Sequence, residues 1–306
     1  MSGRSRIAAI PRLSTVFPDA GALLMQVVST GEEMRELHEG WRHHNEHVAL
    51  VPTMGNLHEG HLSLVELARQ HAERVVVTVF VNPTQFGEGE DYEEYPRTLK
   101  RDTQRLKKLD ADVLFTPDQD TVYPFGIDKA TLVSVPGLTR NFCGASRPGH
   151  FDGVTTVVAR LFALVQPDVA VFGQKDYQQQ LVIRHMTADL SLPIRIITAP
   201  TVREPDGLAM SSRNQYLGEA ERSVAPQLHA ALETIGVELQ SGKRDFGALE
   251  NEARETLQAA GFIPDYVAIR RAENLEPPDR DCDEIVVLAA AQLGKARLID
   301  NIVVTI

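Results

Sequence analysis

The stretch Val51-Pro52-Thr53-Met54-Gly55-Asn56-Leu57-His58-Glu59-Gly60-His61 constrains this chain more than any other. An apolar run at 47–51 leads into it, and a helical pattern over 62–73 leads out. That order predicts a strand, a tight glycine-bearing turn and a helix N-terminus. Unpaired backbone N–H groups and the positive end of the helix dipole gather at such a junction, and together they suit phosphate. His58 and His61 can each donate a hydrogen bond to a phosphate oxygen without carrying a fixed charge at neutral pH. Gly55 and Gly60 let a ligand approach the backbone closely. Residues 58–61 alone would also fit a solvated turn. A zinc-protease helix is a poorer fit, because it needs histidines at i and i+4 rather than i and i+3.

The rest of the chain repeats the strand-to-helix alternation. Apolar, β-branched segments at 25–28, 74–81, 112–115, 169–172 and 194–197 alternate with helical patterns at 30–44, 99–109 and 154–165. Thr30 reads as an N-cap with Glu33 as its capping-box partner. Continuous apolar strands between helices predict a parallel sheet covered on both faces, an α/β, Rossmann-like fold. Ligands of such sheets bind beyond the carboxyl ends of the strands. Asn82 and Gln85 follow one strand there. Gly173, Gln174, Lys175 and Asp176 follow another, with Gln179 facing the same cleft. Lys175 can meet phosphate as a point charge, and Asp176 can accept from ribose hydroxyls. Met210, Ser211, Ser212 and Arg213 would make a triphosphate clamp. Residues 117–150 form a long Pro- and Gly-rich region ending in Arg147 and His150, two potential anion-binding groups. The acidic run 88–94 reads as a solvated loop.

From about Val202 the pattern changes to two amphipathic helices, 220–240 and 246–260, and then to short strands at 265–270, 284–291 and 296–304. We therefore expect a nucleotide-binding domain over 25–201, a smaller α+β domain over 202–306, and a disordered extension over 1–24. The short apolar stretch 7–10 is a poor secretory core. The net charge of −11 argues against nucleic acid or an anionic membrane surface as main partner, but not against ATP, which needs only local basic groups. No apolar run approaches the roughly 20 residues of a membrane span. With two cysteines and no apparent secretory signal, a reducing cytoplasm is expected.

Taken together and in order, Pro52 to Gly55 with His58 to His61, Phe80 to Pro83 with Gln85 and Phe86, Tyr95 to Thr98, Gly173 to Gln179 and Met210 to Asn214 closely resemble the pantoate–β-alanine ligase (pantothenate synthetase) family. The histidines alone would place the chain only in the wider nucleotidylyltransferase superfamily. The resemblance runs from about Met25 to Ile306. It implies a smaller C-terminal lid domain, a homodimer, and ATP, Mg²⁺, pantoate and β-alanine as ligands, with pantothenate, AMP and pyrophosphate as products.

By the same resemblance, Met54, Gly55, Asn56, Leu57, His58, Glu59, Gly60 and His61 line the ATP site, and His61, with His58 and Lys175, serves catalysis. Gly173, Gln174, Lys175, Asp176 and Val202 touch the nucleotide, while Met210, Ser211, Ser212 and Arg213 close over the phosphates. Gln85 and Gln179 hold pantoate. Asn82 and Asp102 resemble the pyrophosphate and Mg²⁺ side, and Arg147 and His150 match a loop near the second substrate. Asn56 stands where the family usually has alanine, and Gln174 where it usually has glutamate.

Two other readings share part of this signal. A nucleotidylyltransferase that stops at an adenylylated product would keep His58 and His61 but leaves Gln85 and Gln179 unexplained. A catalytically dead ATP-binding or assembly protein would bind ATP without releasing pyrophosphate.

Overall fold

Val75, Val76 and Val77 are fully buried on one strand, and their side chains alternate between two hydrophobic clusters. Val76 joins Leu50 and the residues of one face, while Val75 and Val77 join Ala49 and Val51 on the other. A strand can be apolar at every position only when both faces are covered. The computed structural model describes residues 25–87, 89–279 and 282–306. The expected extension 1–24 lies outside these described residues.

Six strands form the parallel sheet: β1 (Gln26–Val28), β2 (Val48–Thr53), β3 (Arg74–Val79), β4 (Val113–Phe115), β5 (Val169–Gly173) and β6 (Arg195–Ala199), in the order β1-β4-β3-β2-β5-β6. The helices are α1 (Gly31–His43), α2 (Glu59–Arg69), α3 (Leu99–Lys107), α4 (Gln119–Val122), α5 (Cys143–Ser146), α6 (His150–Val165), α7 (Tyr177–Asp189), α8 (Glu219–Val224), α9 (Gln227–Gln240) and α10 (Phe246–Ala259). Helices α1 and α6 supply Met34, Trp41, Val154 and Leu161 to one face of the sheet, and α2 supplies Leu64, Val65 and Ala68 to the other. The capping box that starts α1 is present: Thr30 Oγ1 accepts from Glu33 N, and Thr30 N donates to the Glu33 carboxylate.

The strand order reverses between β2 and β5, and these two strands pair only at Ala49–Val169 and Leu50–Ala170. Their carboxyl halves are not paired to each other, so a crevice opens at the switch point, where open α/β sheets bind ligands.

Strands β7 (Ile263–Arg271), β8 (Glu284–Leu293) and β9 (Ala296–Thr305) form a separate antiparallel sheet. It packs with α9 and α10 around its own apolar cluster, which includes Leu232, Leu257, Ile269 and Val287. The single helix expected over 220–240 is two helices. Pro226 lacks the N–H that a continuous helix needs, and its ring crowds the carbonyl one turn back. Helix α2 starts a turn earlier than its apolar period suggested, so His61 belongs to its first turn. The region 117–150 is tied down rather than loose: Val133 N donates to Thr156 Oγ1, and Arg160 donates to Val122 O, both on or from α6.

Candidate active site

The turn after β2 needs two left-handed residues in a row, Gly55 at φ 84° and Asn56 at φ 51°. Glycine has no penalty there, and asparagine is among the few other residues that tolerate it. Asn56 is therefore better suited to this bend than the alanine of the family pattern. Its Oδ1 also accepts from Arg101 Nη2 at 2.6 Å. The bend brings His58 to the N-cap of α2 and His61 to its first turn, with the ring centroids 4.0 Å apart.

Both imidazoles are held uncharged at neutral pH. Burial, with Lys175 beside it, pushes His58 down to about 4, and burial, with His58 and Lys175 beside it, pushes His61 down to about 3. His61 Nδ1 accepts from the His58 amide at 3.4 Å, which leaves Nε2–H as the donor. His58 Nδ1 is buried without a hydrogen-bond partner among the described residues. A buried polar atom of this kind is normally satisfied by a ligand or water.

His58 and His61 share a cavity of about 230 Å³ with Met54, Gln85, Gln179, Lys175 and Val202. Lys175, Asp176, Gln179, Ser211 and Arg213 also border a second cavity of about 400 Å³, so the two are contiguous. Arg147 and His150 face only the second. Lys175 makes no ion pair, and the Gln179 amide has no protein partner, among the described residues. Both are thus available to a ligand. Met210, Ser211, Ser212 and Arg213 follow a small hairpin closed by the Arg203–Ala209 bridge and reach the same cleft. Gly60 and Gly173 border it as well, whereas Gly55, Asn56, Leu57, Glu59 and Gln174 shape the turns from behind.

Several expected ligands have other employment. Asp102 was expected beside Mg²⁺, but it is fully buried: its oxygens accept from Asn56 N and Leu57 N at 3.0 Å each, and from Thr98 Oγ1. The carboxylate holds the phosphate turn in shape. No group of three or more His, Cys, Asp or Glu residues suited to a metal occurs among the described residues.

Asn82 borders the histidine cavity, but its polar atoms are spent on the protein. Tyr123 Oη donates to its Oδ1 at 2.7 Å, and its Nδ2 donates to Gly153 O and Gln85 Oε1. It thereby fixes Gln85, whose Nε2 lies 3.1 Å from Met54 Sδ. His150 Nδ1–H donates to Gln85 O at 2.7 Å while Arg147 Nη1 donates to His150 Nε2. Burial, followed by Arg147, pushes His150 down to about 4.

The acidic run is not simply solvated. Glu90 pairs with Arg147 at 2.5 Å, and Asp91 pairs with Arg213 at 3.1 Å. These partners could not be found from sequence, because nothing in a run of acids identifies which arginine each one meets. Tyr95 was quoted only as part of a motif, yet it is buried against the histidine cavity.

An open parallel sheet carrying two phosphate-type turns at its switch point, one of them holding a pair of neutral histidines, defines a nucleotide-binding α/β enzyme. The family follows from comparison with known proteins. The Pantoate-beta-alanine ligase family model matches residues 26–303, and the chain belongs to that family. It is 55% identical over 278 residues to the pantothenate synthetase of Thioalkalivibrio sulfidiphilus, covering 91% of this chain and 97% of that protein. The crystal structure of pantothenate synthetase from Thermus thermophilus superposes with a TM-score of 0.84 at 47% identity, covering 91% and 99% of the two chains. The pantoate-beta-alanine ligase of Francisella tularensis, solved in complex with beta-gamma ATP and beta-alanine, gives 0.75 at 32% identity, covering 91% and 97%.

Proposed function

We infer that the chain condenses pantoate with β-alanine at the expense of ATP, giving pantothenate, AMP and pyrophosphate through a pantoyl-adenylate. The observation that carries this is one continuous cleft at the sheet's switch point, in which Lys175, His58 and His61 face the same space as Gln85 and Gln179. A carboxylate resists attack by an amine because oxide leaves poorly. In the first step a pantoate carboxylate oxygen attacks the α-phosphorus and pyrophosphate leaves. In the second the neutral β-alanine amine attacks the acyl carbon, AMP leaves, and the amine loses a proton.

The chain's own residues supply donors and position. His61 Nε2–H, His58, Lys175, Ser211, Ser212 and Arg213 stabilise the phosphoryl charge. Gln85, braced by Asn82 and Met54, and Gln179 orient pantoate. Arg147 and His150 shape the side from which β-alanine enters. No nucleophilic side chain is needed, and exclusion of water protects the adenylate from hydrolysis.

We further propose a nucleotide-binding domain over 25–201 with 202–306 as its lid, a homodimer, and a cytoplasmic location, to which the two unpaired cysteines are suited. Mg²⁺ is proposed as a companion of the triphosphate, held mainly by phosphate oxygens and water. The described residues offer it no carboxylate cage, so no step is assigned to it. No helix among the described residues is long and apolar enough to cross a membrane.

The test is pantoate-dependent exchange of labelled pyrophosphate into ATP without β-alanine, followed by β-alanine-dependent release of AMP. Exchange that stops at the adenylate, with no response to β-alanine, would favour a plain nucleotidylyltransferase. ATP binding without any exchange would favour a catalytically dead protein.

A further inference from the structure

Asn301, on β9 and 2% exposed, borders the second cavity of the cleft but not the histidine cavity, and its side chain is committed to the turn that carries Lys175. Its Nδ2 donates to Gln174 O and to Lys175 O, each at 2.9 Å. Its Oδ1 accepts from Gln174 Nε2 at 3.3 Å. The turn itself, Gln174–Asp176, is a single 3-10 turn with no side-chain cap. Nothing local to it fixes the direction of Lys175, whose ammonium has no ion pair among the described residues.

The neighbouring residue serves the other phosphate-binding segment. Asp300 is 4% exposed and receives Arg203 through two hydrogen bonds, at 2.6 and 2.9 Å. Arg203 starts the hairpin that delivers Ser211 and Arg213 to the cleft, and its Nη2 also donates to Asn301 O. Two consecutive residues of one strand in the C-terminal sheet thus anchor both segments.

We propose that Asn301 is a positioning residue for adenylate formation: its carboxamide fixes the two peptide carbonyls beside Lys175 and so aims the ammonium at the transferred phosphates. This rests on the function proposed above. The carboxamide is suited to the task because it presents two donors to two part-buried carbonyls, which would otherwise lose this partner. The Asn301 carboxamide is spent on Gln174 and Lys175, so it acts through Lys175 rather than as a ligand group of its own. Its loss should therefore matter only while Lys175 is present.

The experiment is pyrophosphate–ATP exchange with the full chain, comparing wild type, Asn301→Ala, Asn301→Asp, Lys175→Ala and the Asn301→Ala/Lys175→Ala double variant. Asn301→Ala should lower the exchange kcat by about 10- to 100-fold, the scale of a small misplacement of a catalytic group. Asn301→Asp keeps the volume but sets an anion against two carbonyls, so it should fall at least as far and keeps the question open to test if the alanine variant folds poorly. The double variant should exchange no more slowly than Lys175→Ala alone. Losses that multiply, or an Asn301→Ala rate within about twofold of wild type, would overturn the proposal. Absence of exchange in wild type would instead overturn the functional reading on which it stands.

Discussion

The His58 and His61 rings lie 4.0 Å apart with their planes tilted by 41°, and the Lys175 ammonium helps to keep both uncharged. Two imidazolium ions could not share this buried space with a lysine. In the proposed reaction the pair therefore acts as neutral donors, and Lys175 supplies the positive charge. Replacing His61 or Lys175 by alanine should each remove about 2–4 kcal/mol of transition-state stabilisation, the range for one preorganised donor. Steady-state kcat/KM for the exchange reaction measures it, and near-normal turnover in either variant would exclude that role.

The same depressed histidines make stability depend on pH. His58 and His150 titrate near 4 and His61 near 3 in the folded chain, against an ordinary value of 6.5. Between these values the unfolded chain binds more protons than the native one. Their contribution is complete above about pH 6.5 and is lost as pH falls toward 4 and then 3. Thermal midpoints should decline over this range, and His61→Asn should flatten the decline. Equal slopes in the two proteins would contradict the assignment.

Asp102→Ala tests whether the buried carboxylate is a clamp or a metal ligand. It should orphan the Asn56 and Leu57 amides, at a cost of about 1–3 kcal/mol for each buried donor. The thermal midpoint should drop and KM for ATP should rise, with the dependence on Mg²⁺ concentration otherwise unchanged. A variant of normal stability with an altered Mg²⁺ requirement would return the metal assignment.

Gly153 lets α6 lie against the turn that carries Gln85. A β-carbon there would sit 2.3 Å from Thr84 O and 2.7 Å from Gln85 N, both backbone atoms that cannot swing aside. Gly153→Ala should displace the turn and raise KM for pantoate by roughly 10-fold, more than it changes KM for ATP. An unchanged pantoate KM would mean that Gln85 does not hold this substrate.

Asp91 holds Arg213, the guanidinium that the proposed function assigns to the phosphates. Removing an ion pair of this partly exposed kind should free the guanidinium at a cost of only about 0.2–1 kcal/mol of stability. Asp91→Asn should therefore tighten ATP binding by about 1.4- to 5-fold, the same energy expressed as an affinity. Weaker binding in a calorimetric titration would show that Asp91 instead presents Arg213 to the nucleotide.

The sequence by itself determined the parallel sheet, because Val75 to Val81 leaves no polar face and only a doubly covered strand tolerates that. It also determined the turn at 54–61 and the turn at 173–176, since glycine, histidine and lysine at strand ends carry their chemistry locally. Boundaries were less legible: Pro226 splits a helix that reads as continuous by period, and α2 starts before its apolar stripe.

Only the tertiary structure decided which polar side chains are left free for a ligand in the cleft and which are spent on holding it. Asp102, Asn82 and Asn301 have side chains as suitable for a ligand as those of Gln179 and Lys175. Each is instead consumed by backbone groups or side chains far along the chain, 46 residues away for Asp102 and Asn56 and 127 for Asn301 and Gln174. The reason is that a polar side chain's task is set by what satisfies it once it is buried. Those partners are brought together by strand order and packing, not by adjacency in sequence.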